Sequence, residues 1–228
     1  QYKPPYLGGQ MPTPYYDAND GFPAYLLLND GQGKFTDGTA AAGLDKKRNR
    51  RTYAASFVDL GDDGHLDLIV TSDFAGVDVY RNDGTGKFTD ASDASVSDRN
   101  QFGMSHTMGD YDLDGKLDLF VLGVSSLTAR RLDAMKLRRE DRSEIDAMRT
   151  RMARGNRMWL GSDGKLAAAA WSEQIARTGW AFGSTSFDFD NDGDRDVYVA
   201  NGNRSGRSAR DYGTHFWTHD IYANASKH

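Results

Sequence analysis

The chain has 228 residues, 38% of them hydrophobic, and a formal net charge of -5. That is enough for one domain with a core, and it lacks the basic excess of a nucleic-acid binder. There is no cysteine, so disulfides and thiolate metal sites are excluded, and no run of 18 apolar residues that would read as a membrane-spanning helix.

Residues 1–23 contain all five prolines and read as an extended arm. It either drapes over the surface or docks on a neighbouring subunit. No charged start with a following apolar stretch precedes it, so no signal peptide is read. The next segment, AYLLLNDGQGKFTD (24–37), is an apolar strand followed by Asn-Asp-Gly-x-Gly and a second short strand. Asn, Asp and Gly tolerate the positive φ that a hairpin turn requires. The same pattern returns as VDVYRNDGTGKFTD (77–90), and more weakly as NRMWLGSDGKLAAAA (156–170). The 25 glycines, roughly one residue in nine against about 7% on average, fit a chain with many such turns.

A second element alternates with these hairpins: SFVDLGDDGHLDLIVTS (56–72), TMGDYDLDGKLDLFVLG (107–123) and SFDFDNDGDRDVYVANG (186–202). Each copy sets an aspartate-rich loop before a strand. The first two loops begin 51 residues apart, at Asp59 and Asp110, and the third begins 78 residues later, at Asp188. An insertion over 125–155 explains the longer spacing. Its residues are good helix formers, and 127–157 hold ten Arg or Lys against five Asp or Glu. The expectation is a helical hairpin between two strands, its basic face either solvated or docked on an acidic partner. A period near 50 with about four short strands per unit predicts an all-β fold of β-propeller blades, each a four-stranded antiparallel sheet, over residues 24–228. A ring needs at least about four blades, so the ring is incomplete within this chain.

In the second loop, Asp110, Asp112, Asp114 and Asp118 place carboxylates at positions 1, 3, 5 and 9. Gly115 at position 6 permits a sharp turn that points the carbonyl of Lys116 inward. The third loop repeats the set with Asp188, Asp190, Asp192 and Asp196 and the carbonyl of Asp194. Hard oxygen donors on a flexible loop suit Ca²⁺ better than Mg²⁺, which demands a smaller octahedral shell. Two carboxylates about 4 Å apart repel by roughly 4 kcal/mol at an effective dielectric near 20, which a divalent ion would offset. The first loop offers Asp59, Asp63, Asp67 and the carbonyl of His65, but Gly61 stands at position 3, so weaker binding or none is expected. An EF-hand would need Glu at position 12, where Val121 and Val199 stand.

These loops and their flanking strands resemble FG-GAP or VCBS-type repeats, as in integrin α-chain propellers. NDGQGKFTDGTAAAGL, NRMWLGSDGK and GWAFGSTSFDFDNDGDRDVYVANG look closest to bacterial FG-GAP proteins that often carry an ASPIC/UnbV-type domain. The resemblance implies calcium ligands at the aspartates of the second and third loops.

Other candidates carry less. His215 and His219 stand four apart with no third ligand evident, and His106 reads as a packed strand histidine, with a catalytic base as the alternative. Asn203 and Asn224 begin Asn-x-Ser triplets, and Trp159, Trp171, Trp180 and Trp217 read as blade core before sugar platform. The expectation is an extracellular or periplasmic calcium-stabilised module that binds a protein or a glycan or assembles with itself. A propeller-fold polysaccharide lyase or dehydratase, and a subunit of a fibre or surface layer, are the alternatives.

Overall fold

The computed structural model describes residues 15–138, 143–179 and 181–201. The first 14 residues of the expected arm, residues 139–142 of the insertion, Trp180, Asn203, His215, Trp217, His219 and Asn224 lie outside that description. The described chain is mostly β. The first hairpin, β1 (Leu27–Asn29) and β2 (Phe35–Asp37), stands as a two-stranded sheet. The meander β3 (Arg51–Val58), β4 (Asp67–Asp73), β5 (Gly76–Asn82) and β6 (Phe88–Asp90) forms a four-stranded antiparallel sheet in chain order. A second such sheet follows, from β7 (Gly103–Gly109), β8 (Asp118–Gly123), β9 (Arg157–Ser162) and β10 (Lys165–Ala168). The pair β11 (Ala181–Phe187) and β12 (Asp196–Asn201) ends the described array.

Turn chemistry sets the hairpins. Asn82 Oδ1 accepts the Gly84 amide and Asp83 Oδ1 the Thr85 amide, while Gly84 and Gly86 both take φ of +82°. The copy between β1 and β2 repeats this: Asn29 and Asp30 accept the amides of Gly31 and Gln32. Side-chain carboxamide and carboxylate thus occupy the donors that a five-residue turn leaves unpaired.

The sheets stack face to face. Ile69, Val77 and Val79 of the first four-stranded sheet meet Leu119, Val121, Trp159 and Leu166 of the second in a buried apolar layer. The other face of the first sheet packs Leu68, Tyr80 and Phe88 against Ala42 and Leu44, which follow β2. The other face of the second sheet packs Met104, Phe120 and Met158 with Ala181, Val197 and Val199 of the β11–β12 pair. Covered on both faces, β4 and β8 read as unbroken apolar runs, Leu-Ile-Val and Leu-Phe-Val-Leu. The first strands are neighbours: β7 lies beside β3 and β4 on one side and β11 on the other.

Helices are few among the described residues. Two single turns, α1 (Ser92–Ser95) and α4 (Ser172–Ile175), follow the last strand of each four-stranded sheet. Between β8 and β9 stand α2 (Leu127–Ala134), capped by Ser126 accepting the Ala129 amide, and α3 (Ser143–Met152). Ala129, Leu132 and Met152 join the core beside Phe120 and Leu122. The basic residues here do not form a single solvated face. Arg149 and Arg157 are buried, with Asp146 against the first and Asp98 against the second. Burial lowers the Arg157 guanidinium to about 10, and Asp98 also gathers Arg151 and Arg154.

The described part of the arm lies on its own chain. Tyr15 and Ala18 are buried in the core, and the Ala18 amide donates to the Phe74 carbonyl. Asp17 pairs with Arg50, and Asp20 with Arg51. Proline content signals the lack of regular structure, not the lack of contact. Of the tryptophans, Trp159 is fully buried, whereas Trp171 is partly exposed.

Candidate metal centres

The three aspartate loops occupy equivalent places: β3 to β4, β7 to β8 and β11 to β12, the first connection of each sheet. Their backbones repeat. Position 4 is left-handed in each, at Asp62, Leu113 and Asn191, and so is the glycine at position 6, at Gly64, Gly115 and Gly193. Position 1 ties the turn together. Asp110 accepts the amides of Asp114 and Gly115 at 3.0 and 2.9 Å, and Asp188 those of Asp192 and Gly193 at 3.1 and 3.0 Å. Asp59 does the same for Asp63 and Gly64. At position 5, Asp63, Asp114 and Asp192 each accept the amide of position 7, at His65, Lys116 and Asp194. Each carboxylate keeps further lone pairs for other partners.

In the second loop, one carboxylate oxygen each from Asp110, Asp112 and Asp118 lie within 4.8 Å of one another. In the third loop, Asp188, Asp190 and Asp192 do the same. Asp114 and Asp196 fall outside these two groupings, as do all the acids of the first loop. The carbonyls of Lys116, Asp194 and His65 sit at position 7. Asp118 is fully buried. One of its oxygens accepts the Tyr111 amide at 2.8 Å, and the other accepts the Gly161 amide of β9 at 2.8 Å. It is therefore both a candidate ligand and the pin between loop and sheet.

The electrostatics separate the loops. Burial, with help from the charges of Asp112 and Asp114, raises the carboxyl of Asp118 above its usual value, against the pull of the Gly161 and Tyr111 amides. The charge of Asp192 raises Asp194, with burial and the neighbouring acids adding to it. In the first loop the Gly64 amide lowers Asp59. The second and third loops thus concentrate like charge that a hard divalent cation would relieve, and their donors are all oxygen.

Residues 59–121 match the family described as FG-GAP-like repeat. The match covers 63 of the 228 residues. The matched stretch begins at the first aspartate of the first loop and ends within β8, so it spans one full period and two loops. The matched stretch thus holds β4, β5 and β6 of one sheet, then β7 and the start of β8 of the next. No curated protein matches the chain.

His106 of β7 packs between strands, part-buried. Its Nδ1 lies 2.8 Å from Thr71 Oγ1 of β4 and its Nε2 2.8 Å from Ser56 Oγ of β3, where it ties neighbouring sheets. A feature that motif reading passes over is Arg81 of β5, whose Nη1 lies 2.5 Å from Asp67 Oδ2 in the first loop.

Proposed function

We propose that the chain is a set of calcium-stabilised β-propeller blades, acting outside the cytoplasm as a binding or scaffold module. The observation that carries the reading is the pair of oxygen-only clusters, Asp110–Asp112–Asp118 and Asp188–Asp190–Asp192, on loops of one geometry at one place in successive sheets. Calcium would be held by those carboxylates together with Asp114, Asp196 and the carbonyls of Lys116 and Asp194. When bound, it supplies positive charge that offsets carboxylate repulsion and fixes each turn. The chain's own part is to pre-form the turn, through position 1 on the amides of positions 5 and 6.

Side-by-side first strands and face-to-face sheets support blades around a common axis. Fibrous or surface-layer assembly remains a form of the same scaffold role. Millimolar extracellular calcium suits loops of this modest rigidity, which supports a secreted setting. The partner is a protein or a glycan.

Thermal unfolding with excess EGTA, and again after Ca²⁺ is restored, tests the reading. The melting temperature falls in EGTA and returns with Ca²⁺ but not with equal Mg²⁺. A melting temperature indifferent to all three additions rejects calcium as the stabiliser.

A further inference from the structure

The first loop keeps the turn but not the donor set, and the reason lies on β5. Gly61 stands where the other loops have Asp112 and Asp190. A Cβ placed on Gly61 would come 3.2 Å from Arg81 Nη1. That same Nη1 lies 2.5 Å from Asp67 Oδ2, the carboxylate of position 9. The guanidinium therefore sits between positions 3 and 9, whose second-loop counterparts Asp112 and Asp118 belong to the candidate cluster. Its other nitrogen, Nη2, donates to the Gly164 carbonyl in the β9–β10 turn of the next sheet.

The exchange is reciprocal along the sequence. In β4–β5, Leu68 faces Tyr80, and in β8–β9, Leu119 faces Trp159, so Arg81 occupies the place of Leu160. The matching amides follow suit, with Asn82 on Asp67 and Gly161 on Asp118. One copy has carboxylate at position 3 and leucine on the neighbouring strand. The other has glycine at position 3 and arginine there. The second oxygen of position 9 changes partner as well. Asp118 and Asp196 take the amide of position 2, at Tyr111 and Phe189, whereas Asp67 takes Arg81. Asp67 is buried to 1% exposure, and a carboxylate so placed requires a cation or donors. A second cation adds to the effect: Lys116, from the second loop, lies 2.8 Å from Asp62.

We infer that the first loop is metal-independent, because the guanidinium of Arg81 stands in for the divalent ion and binds the loop to the neighbouring sheet through Gly164. This inference rests on the calcium reading of the other two loops. An arginine suits the role because its planar donors reach a carboxylate and a carbonyl at once and it stays charged at any working pH.

The test is to count Ca²⁺ bound per chain by calorimetric titration, for the wild-type chain and for the Gly61→Asp/Arg81→Leu double variant, and to melt Arg81→Leu alone in EGTA. The expected result is two ions for wild type and three for the double variant. Arg81→Leu melts roughly 5–10 °C lower in EGTA, since it strands Asp67 with no ion to replace the lost charge. Three ions in wild type overturn the inference and leave the calcium reading standing. A folded double variant that still binds two also overturns it, as does an Arg81→Leu chain that melts like wild type. No ions in wild type, with Arg81→Leu still destabilised in EGTA, rejects calcium in the other loops but upholds Arg81 as the cation of this one.

Discussion

Thr71 Oγ1 on β4 lies 2.8 Å from His106 Nδ1 on β7, joining strands of two successive sheets. Ser56 Oγ on β3 closes the bridge from the other ring nitrogen. Burial between the sheets lowers the His106 pKa from its usual value to about 4. The unfolded chain takes up this proton near pH 6.5, the folded chain only near pH 4. Between those values the unfolded state binds more protons, so stability falls as pH drops through the window and is fully present above it. Wild type should lose up to about 2 kcal/mol more than His106→Gln between pH 7 and pH 5, read from urea unfolding at each pH. Equal losses in the two chains would remove His106 as the source.

Asp112 and Asp118 have different duties in one loop, and substitution separates them. Asp112→Ala removes a candidate ligand and leaves in place the turn bonds that Asp110 and Asp114 accept. It should leave stability in EGTA unchanged or slightly raised and cancel the calcium-dependent gain of this loop. Asp118→Ala strands the amides of Tyr111 and Gly161. It should cost about 2–3 kcal/mol even in EGTA. Denaturant melts with and without calcium check both.

Leu113 holds a left-handed backbone at φ of +61°, where the equivalent positions carry Asp62 and Asn191. A leucine in that region costs roughly 1–2 kcal/mol, which Asn largely avoids. Because its side chain is exposed, Leu113→Asn loses no core contact. The variant should gain about 1 kcal/mol by urea unfolding, with calcium binding retained.

Asp78 is fully buried on β5 and receives Lys47 Nζ at 2.8 Å, Arg50 Nε at 2.9 Å and Arg99 Nη1 at 3.2 Å. Asp17 reaches Arg50 as well, so the network fastens the N-terminal residues to the first four-stranded sheet. Asp78→Asn leaves three cations around a neutral group and should cost about 3–5 kcal/mol by denaturant unfolding. Limited proteolysis should then cut first near residue 20.

The parts legible in the sequence are those whose cause is local. Asn82, Asp83 and Gly84 fold their own turn, and Asp110 to Gly115 bond to themselves, so motif and spacing suffice to place hairpin and loop. The paired helices at 127–134 and 143–152 follow from composition. What escapes is set by register between distant strands. Arg81 reaches Asp67 only because β4 and β5 pair in that register, although a signal was present: Leu28 stands in its place in the first hairpin copy. Arg157 likewise looked like surface charge, because its counterion, Asp98, is 59 residues away. The docking of Tyr15 and Ala18 left no periodic trace.

The central claim is that the second and third loops hold calcium and the first does not. Crystals grown with Ca²⁺, and anomalous scattering measured at a long wavelength, test it most directly. The account predicts one peak inside residues 110–118, one inside 188–196 and none inside 59–67. Absence of a peak from both of the first two would contradict it.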